Sequence, residues 1–140
     1  MNRIIPILLL GITAGWVIGP QKAKAQACQD EEGMVTEYKK GLIELVETVR
    51  KESPTEFEKA YHQKAGVTKL GLASSMVDGL LDCLDKAAQD PAAKDELDLK
   101  SRHATYSKLK DQLEADKKTL KAANDPKSAQ AAMVKFQYSN

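Results

Sequence analysis

Between Leu70 and Ala87, apolar residues return at every third or fourth position: Leu70, Ala73, Met76, Val77, Leu80, Leu81, Leu84 and Ala87. A helix turns about 100° per residue, so this spacing lines them along one side of a cylinder. A strand, with its period of two, would scatter them over both faces. A rod with one apolar side must bury that side against something. The chain has to supply the partners.

Four other segments read as helices. From about Asp30 to Glu52, Met34, Tyr38, Leu42, Leu45, Val46 and Val49 recur at helical steps, with charged residues between them. Asp30, Glu31 and Glu32 would sit in its first turn, at the positive end of the helix dipole. The stretch Ser53-Pro54-Thr55-Glu56 reads as a capping box with proline at the first helical position. It predicts a short helix from Pro54 to about Lys64, with Phe57, Ala60 and Tyr61 on one face and Gly66 as its stop. The Phe57–Tyr61 face lies roughly 150° from the stripe through Val77, Leu80 and Leu84, so a break near Gly66 is required before a third helix, Thr68 to Gln89.

Asp90-Pro91 opens the next helix, expected to run to about Ala123, roughly 50 Å at 1.5 Å per residue. It is very polar. Its apolar residues form a narrow seam, Leu99, Tyr106, Leu113 and Leu120, spaced by sevens. Such a seam fits a helix of the same chain or a second copy, and the short loops favour the same chain. Asp125-Pro126 starts a last short helix with Ala129, Ala132, Met133 and Phe136 on one face, and Tyr138–Asn140 are expected to fray. The fold class is therefore all-α: a bundle of four to five helices, mostly antiparallel, with one long charged helix. Only 5% of residues are aromatic, so Leu, Val, Ala and Met must build the core.

Residues 1–27 read differently. Arg3 precedes an apolar run, Ile4 to Gly19, and a short polar tail with small residues. That is the layout of a cleaved secretory leader. The alternative, a membrane span, needs about 20 apolar residues without interruption. This run is shorter and holds Pro6, Gly11 and Gly15. Residues 28–140 are expected to form a single helical domain in the bacterial periplasm or outside the cell. The leader region holds three of the 21 basic groups (Arg3, Lys22, Lys24) and none of the 20 acidic ones, so the remainder carries a net charge of −2 with both signs mixed. No broad basic field is left for nucleic acid.

Both cysteines, Cys28 and Cys83, lie beyond the leader. In an oxidising compartment an even count points to a disulfide, here closing a loop of 55 residues. The alternative is a lipid on Cys28. Gln26 and the polar stretch before it depart from the small and apolar residues that such a site needs.

The chemistry expected of the chain is sparse. His62 and His103 stand outside any ligand motif, no CxxC or HExxH occurs, and no glycine-rich phosphate loop or GxSxG elbow is present. No metal and no cofactor is expected. Gly71, Ser75 and Gly79 recur every four residues and lead to Cys83. They read as a close-packing ridge, since each glycine inside a helix costs about 1 kcal/mol relative to alanine. The function class expected is an exported, non-enzymatic binding or interaction protein of the chaperone or adaptor kind, with an unknown protein partner. The alternative is a carrier of a small apolar ligand within the bundle.

Overall fold

The computed structural model describes residues 27–92 and 97–139. The leader expected at the start of the chain therefore lies outside the described residues, apart from Ala27. Among the described residues five helices follow one another: α1 (Gln29–Arg50), α2 (Pro54–Lys59), α3 (His62–Gln89), α4 (Leu97–Ala122) and α5 (Pro126–Met133). No strand occurs among the described residues, and the architecture is an all-α bundle. None of the described helices is long and apolar enough to cross a membrane.

The starts of the helices follow their local chemistry. Ser53 Oγ accepts from the Glu56 amide, and a Glu56 carboxylate oxygen accepts from the Ser53 amide, closing the capping box of α2. Asp125 accepts from the Ser128 amide at 2.8 Å and so caps α5. Asp90 ends α3, and its side chain takes the Ala92 amide at 2.9 Å. Asp30, Glu31 and Glu32 occupy the first turn of α1 and Arg50 the last, both favourable to the dipole.

α3 is the spine. α1 packs along one side of it and α4 along another. Residues flanking the two ends of α1 meet α3 in opposite order, Cys28 with Cys83 and Glu52 with His62. So do those on α3 and α4: Gln63 with Leu120, Ser74 with Glu114, Asp78 with Lys110, Asp85 with His103. Each neighbour thus runs against α3. The seam of α4 is satisfied within the chain: Leu99, Leu113 and Leu120 are buried and Tyr106 is half-buried. They join Leu42, Val49, Phe57, Leu70, Val77, Leu80, Leu84 and Met133 in one core, in which each fully buried side chain of this size is worth about 2 kcal/mol.

α5 crosses the end of the bundle where α1 and α4 stop. Gln130 Nε2 donates to the carbonyls of Val49 (3.2 Å) and Glu52 (2.7 Å), and Gln63 Nε2 donates to those of Leu120 and Ala123, each at 3.0 Å. Two glutamine amides therefore help close the carbonyl ends of α1 and α4, joining the Glu52 and Ala123 amides that also donate to Val49 and Leu120.

Asp90-Pro91 does not open α4: Pro91 and Ala92 lie in a turn, and among the described residues α4 begins at Leu97. The structure corrects four further expectations. The break between the second and third helices falls at Tyr61, not Gly66. Gly66 is buried inside α3, where a Cβ would lie 2.7 Å from Leu120 Cδ2 and 3.0 Å from Met133 Cε. The missing side chain there makes room for a neighbour instead of ending a helix. Second, Val35 takes the core position expected of Met34 and Tyr38, which are 49% and 36% exposed. Cys28, bonded to α3, fixes the rotation of α1, so that Val35, Leu42 and Val49 follow it inward at intervals of seven. Third, the small-residue ridge is no packing surface. Ser75 and Gly79 are exposed, a Cβ on Gly79 would meet nothing within 4 Å, and one on Gly71 would meet only the end of Lys117. The row that faces inward lies one position earlier, Gly66, Leu70 and Ser74, which α4 and α5 cover. Fourth, Tyr138 does not fray. Phe136 is buried, Gln112 Nε2 donates to the Gln137 carbonyl at 2.5 Å, and the Tyr138 hydroxyl donates to Asp116.

Candidate functional site

Among the described residues, two other than glycine have a left-handed backbone, Cys28 (φ 64°) and Tyr61 (φ 56°). That conformation costs a side-chain-bearing residue about 1–2 kcal/mol, so something must hold it. For Cys28 the cause is plain. Its sulfur is joined to Cys83 on α3 across a Cα–Cα distance of 5.9 Å, leaving neither sulfur free for a lipid. A Glu31 carboxylate oxygen lies within 4.8 Å of both sulfurs. Bonded to each other, the sulfurs are not thiolates, and this trio makes no metal site in the oxidised chain.

Tyr61 is held by its neighbours on both sides. α2 ends at Ala60, and the Tyr61 amide donates back to the Glu58 carbonyl at 3.0 Å; the Tyr61 carbonyl then accepts from Ala65 to begin α3. Phe57, 1% exposed, anchors α2 in the core and meets the His62 ring edge-on, with centroids 6.0 Å apart. His62 Nδ1 lies 2.7 Å from Glu52, with side chains 16% and 17% exposed. The corner is thus fixed from the segment after α1, from α2 and from α3. Yet the tyrosine ring itself is 74% exposed.

The ring borders a groove of about 680 Å³ at this corner of the bundle. Phe57, Val67 and Pro126 supply its apolar lining, with Lys64 from α3 and Lys121 from the last turn of α4 at its rim and Glu58 the one acid among the lining residues. That volume suits one or two large side chains or a drug-sized ligand. Periodicity places Tyr61 on a buried face of a helix running to about Lys64, but α2 stops after six residues, at Lys59. Ala60 closes α2 and Tyr61, the next residue, takes the left-handed conformation common just past a helix end.

A second set of groups looks more like chemistry. His103 Nε2 lies 3.0 Å from Asp85 and His103 Nδ1 lies 3.4 Å from Ser107 Oγ, so the structure assembles a serine, a histidine and a carboxylate that sequence spacing did not suggest. Catalysis by such a set needs backbone donors aimed at a developing oxyanion. Ser107 lies in the middle of α4, where amide groups are spent on carbonyls four residues back. Asp85 is largely exposed, and the cleft beside His103 is lined by Leu84, Ala88, Leu99 and Ala104 without Ser107. The set can order a helix surface; it has no machinery for acyl transfer.

The polar cluster at the other end of the bundle is internally satisfied. One Glu32 oxygen accepts from the Tyr106 hydroxyl (2.8 Å) and the other from Arg102 (2.5 Å), which also donates to the Ala27 carbonyl. Burial, reinforced by Glu32, pushes the Tyr106 hydroxyl up to about 12, so it remains a donor at neutral pH. Compared with protein-family models, curated proteins and solved structures, the chain gives no significant match to any. The functional reading therefore rests on the geometry.

Proposed function

We propose that the chain is an exported, non-enzymatic binding protein whose docking surface is the Tyr61 corner. The carrying observation is the tyrosine itself: a residue in left-handed backbone, anchored by buried neighbours, with its ring in solvent beside an apolar groove. Glycine would hold that turn at lower cost, so the fold alone gives no reason for an aromatic ring there. Tyrosine is enriched where proteins meet, because it offers a large rigid apolar face with a polar tip at small entropic cost. The Cys28–Cys83 disulfide fits an oxidising compartment and supports export. The partner sought is a protein, in the manner of a small chaperone or adaptor.

The test uses strain and binding in opposition. Tyr61→Gly removes the left-handed penalty and is expected to raise unfolding stability by about 1 kcal/mol. The same change is expected to abolish suppression of aggregation of a heat-unfolded reporter protein, followed by light scattering. Loss of activity in a more stable protein cannot be ascribed to unfolding. Equal suppression by the variant and the parent would remove Tyr61 from the binding surface.

A further inference from the structure

We infer that the Tyr61 groove receives an acidic segment of a partner protein, an apolar side chain lying on Phe57, Val67 and Pro126 and a flanking carboxylate reaching Lys64 and Lys121. This deepens the binding-protein reading and rests on it. Charge complementarity selects the occupant. Lys64 and Lys121 line the groove and have no acidic partner among the described residues, unlike Lys86 with Asp82 and Lys110 with Asp78 but like most of the other lysines. The nearby acid Glu52 is committed to His62. Glu58, on α2, is outnumbered by the two ammonium groups, and Lys121 and Lys64 come from different helices. An incoming carboxylate can therefore be approached from two sides over an apolar floor. An apolar ligand without charge would leave both ammonium groups facing the partner's desolvating surface. A basic segment would be repelled.

The probes are three fluorescein-labelled peptides of one length, Glu-Glu-Leu-Phe-Glu-Glu and its counterparts with glutamine or lysine at the four flanking positions. Binding to the full chain is read by fluorescence anisotropy. The acidic peptide is expected to bind about tenfold more tightly than the glutamine peptide, a difference of about 1.4 kcal/mol, with an affinity that falls as salt rises. In the Lys64→Glu/Lys121→Glu variant the order is expected to invert in favour of the lysine peptide. Both lysines are on the surface, and unchanged helical circular dichroism verifies the fold. Acidic and neutral peptides binding equally would overturn the charge assignment and leave the binding surface standing. The charge assignment is equally overturned if no peptide binds while Tyr61-dependent suppression of aggregation persists. If neither peptide binding nor suppression is seen, the binding-protein reading falls with the inference.

Discussion

At the scale of single residues, two carboxylates report folding with opposite signs. Asp125 caps α5, and the Ser128 amide and hydroxyl hold its carboxyl below the usual carboxylate range. Its contribution to stability is present above the ordinary carboxylate pKa and is lost as pH falls through the lowered folded value. Asp116 is the reverse. Burial raises its carboxyl above the ordinary range, only partly countered by the hydrogen bond from Tyr138. The folded chain then keeps a proton that the unfolded chain has released, and stability declines as pH rises from the ordinary value through the folded one. Measured as urea midpoints from about pH 2 to about pH 6, Asp125→Asn should flatten the acid-side loss. Asp116→Asn should flatten the decline with rising pH and raise stability at the upper end. Identical pH profiles for parent and variants would show that neither carboxyl differs between the folded and unfolded chains.

At the scale of elements, the glycines of α3 separate helix propensity from packing. Gly79 is exposed with open space around it, so Gly79→Ala should stabilise the protein by about 1 kcal/mol through propensity alone. Gly66→Ala gains the same propensity but drives a methyl to 2.7 Å from Leu120 Cδ2, inside a core where Leu120 and Met133 are fully buried. Overpacking of that kind costs about 1–3 kcal/mol, and the net change should be destabilising. Thermal midpoints of the two variants should move in opposite directions. The contrast also marks what sequence reading can reach. Ser53-Pro54-Thr55-Glu56 and Asp125-Pro126 were legible because a cap and its partners lie within four residues. The stripe of α3 was legible because its apolar residues outnumber the exceptions on that face. Which small row lay inward was not: Gly66–Leu70–Ser74 and Gly71–Ser75–Gly79 have the same spacing, and only α4 and α5, far away in sequence, choose between them. Tyr138 was missed for the same reason, since its partner Asp116 lies on another helix.

For the whole molecule, the two ends of the bundle are held by different means. At the end where α1, α4 and α5 meet, glutamine amides and the buried side chains of Phe57, Leu120 and Met133 do the holding. At the other end the start of α1 is tied to α3 by the disulfide and to α4 by Arg102 and Tyr106. The Tyr61 corner belongs to the first end, so the binding surface should tolerate loosening of the second. The bridge spans 55 residues, which in the chain-entropy model removes about 4 kcal/mol of freedom from the unfolded chain. Against a typical domain stability of about 5–15 kcal/mol, that is a large share. Reduction, or the paired change Cys28→Ser and Cys83→Ser, should therefore lower stability by about 4 kcal/mol. Amide exchange should speed up first in the opening turns of α1, while the first turns of α3 exchange only with global unfolding. Below the lowered midpoint, suppression of aggregation should persist in the reduced chain, because Tyr61 and its anchors lie at the far end. If reduction abolished that suppression while the fold remained intact, the surface would have to include the disulfide end of the bundle.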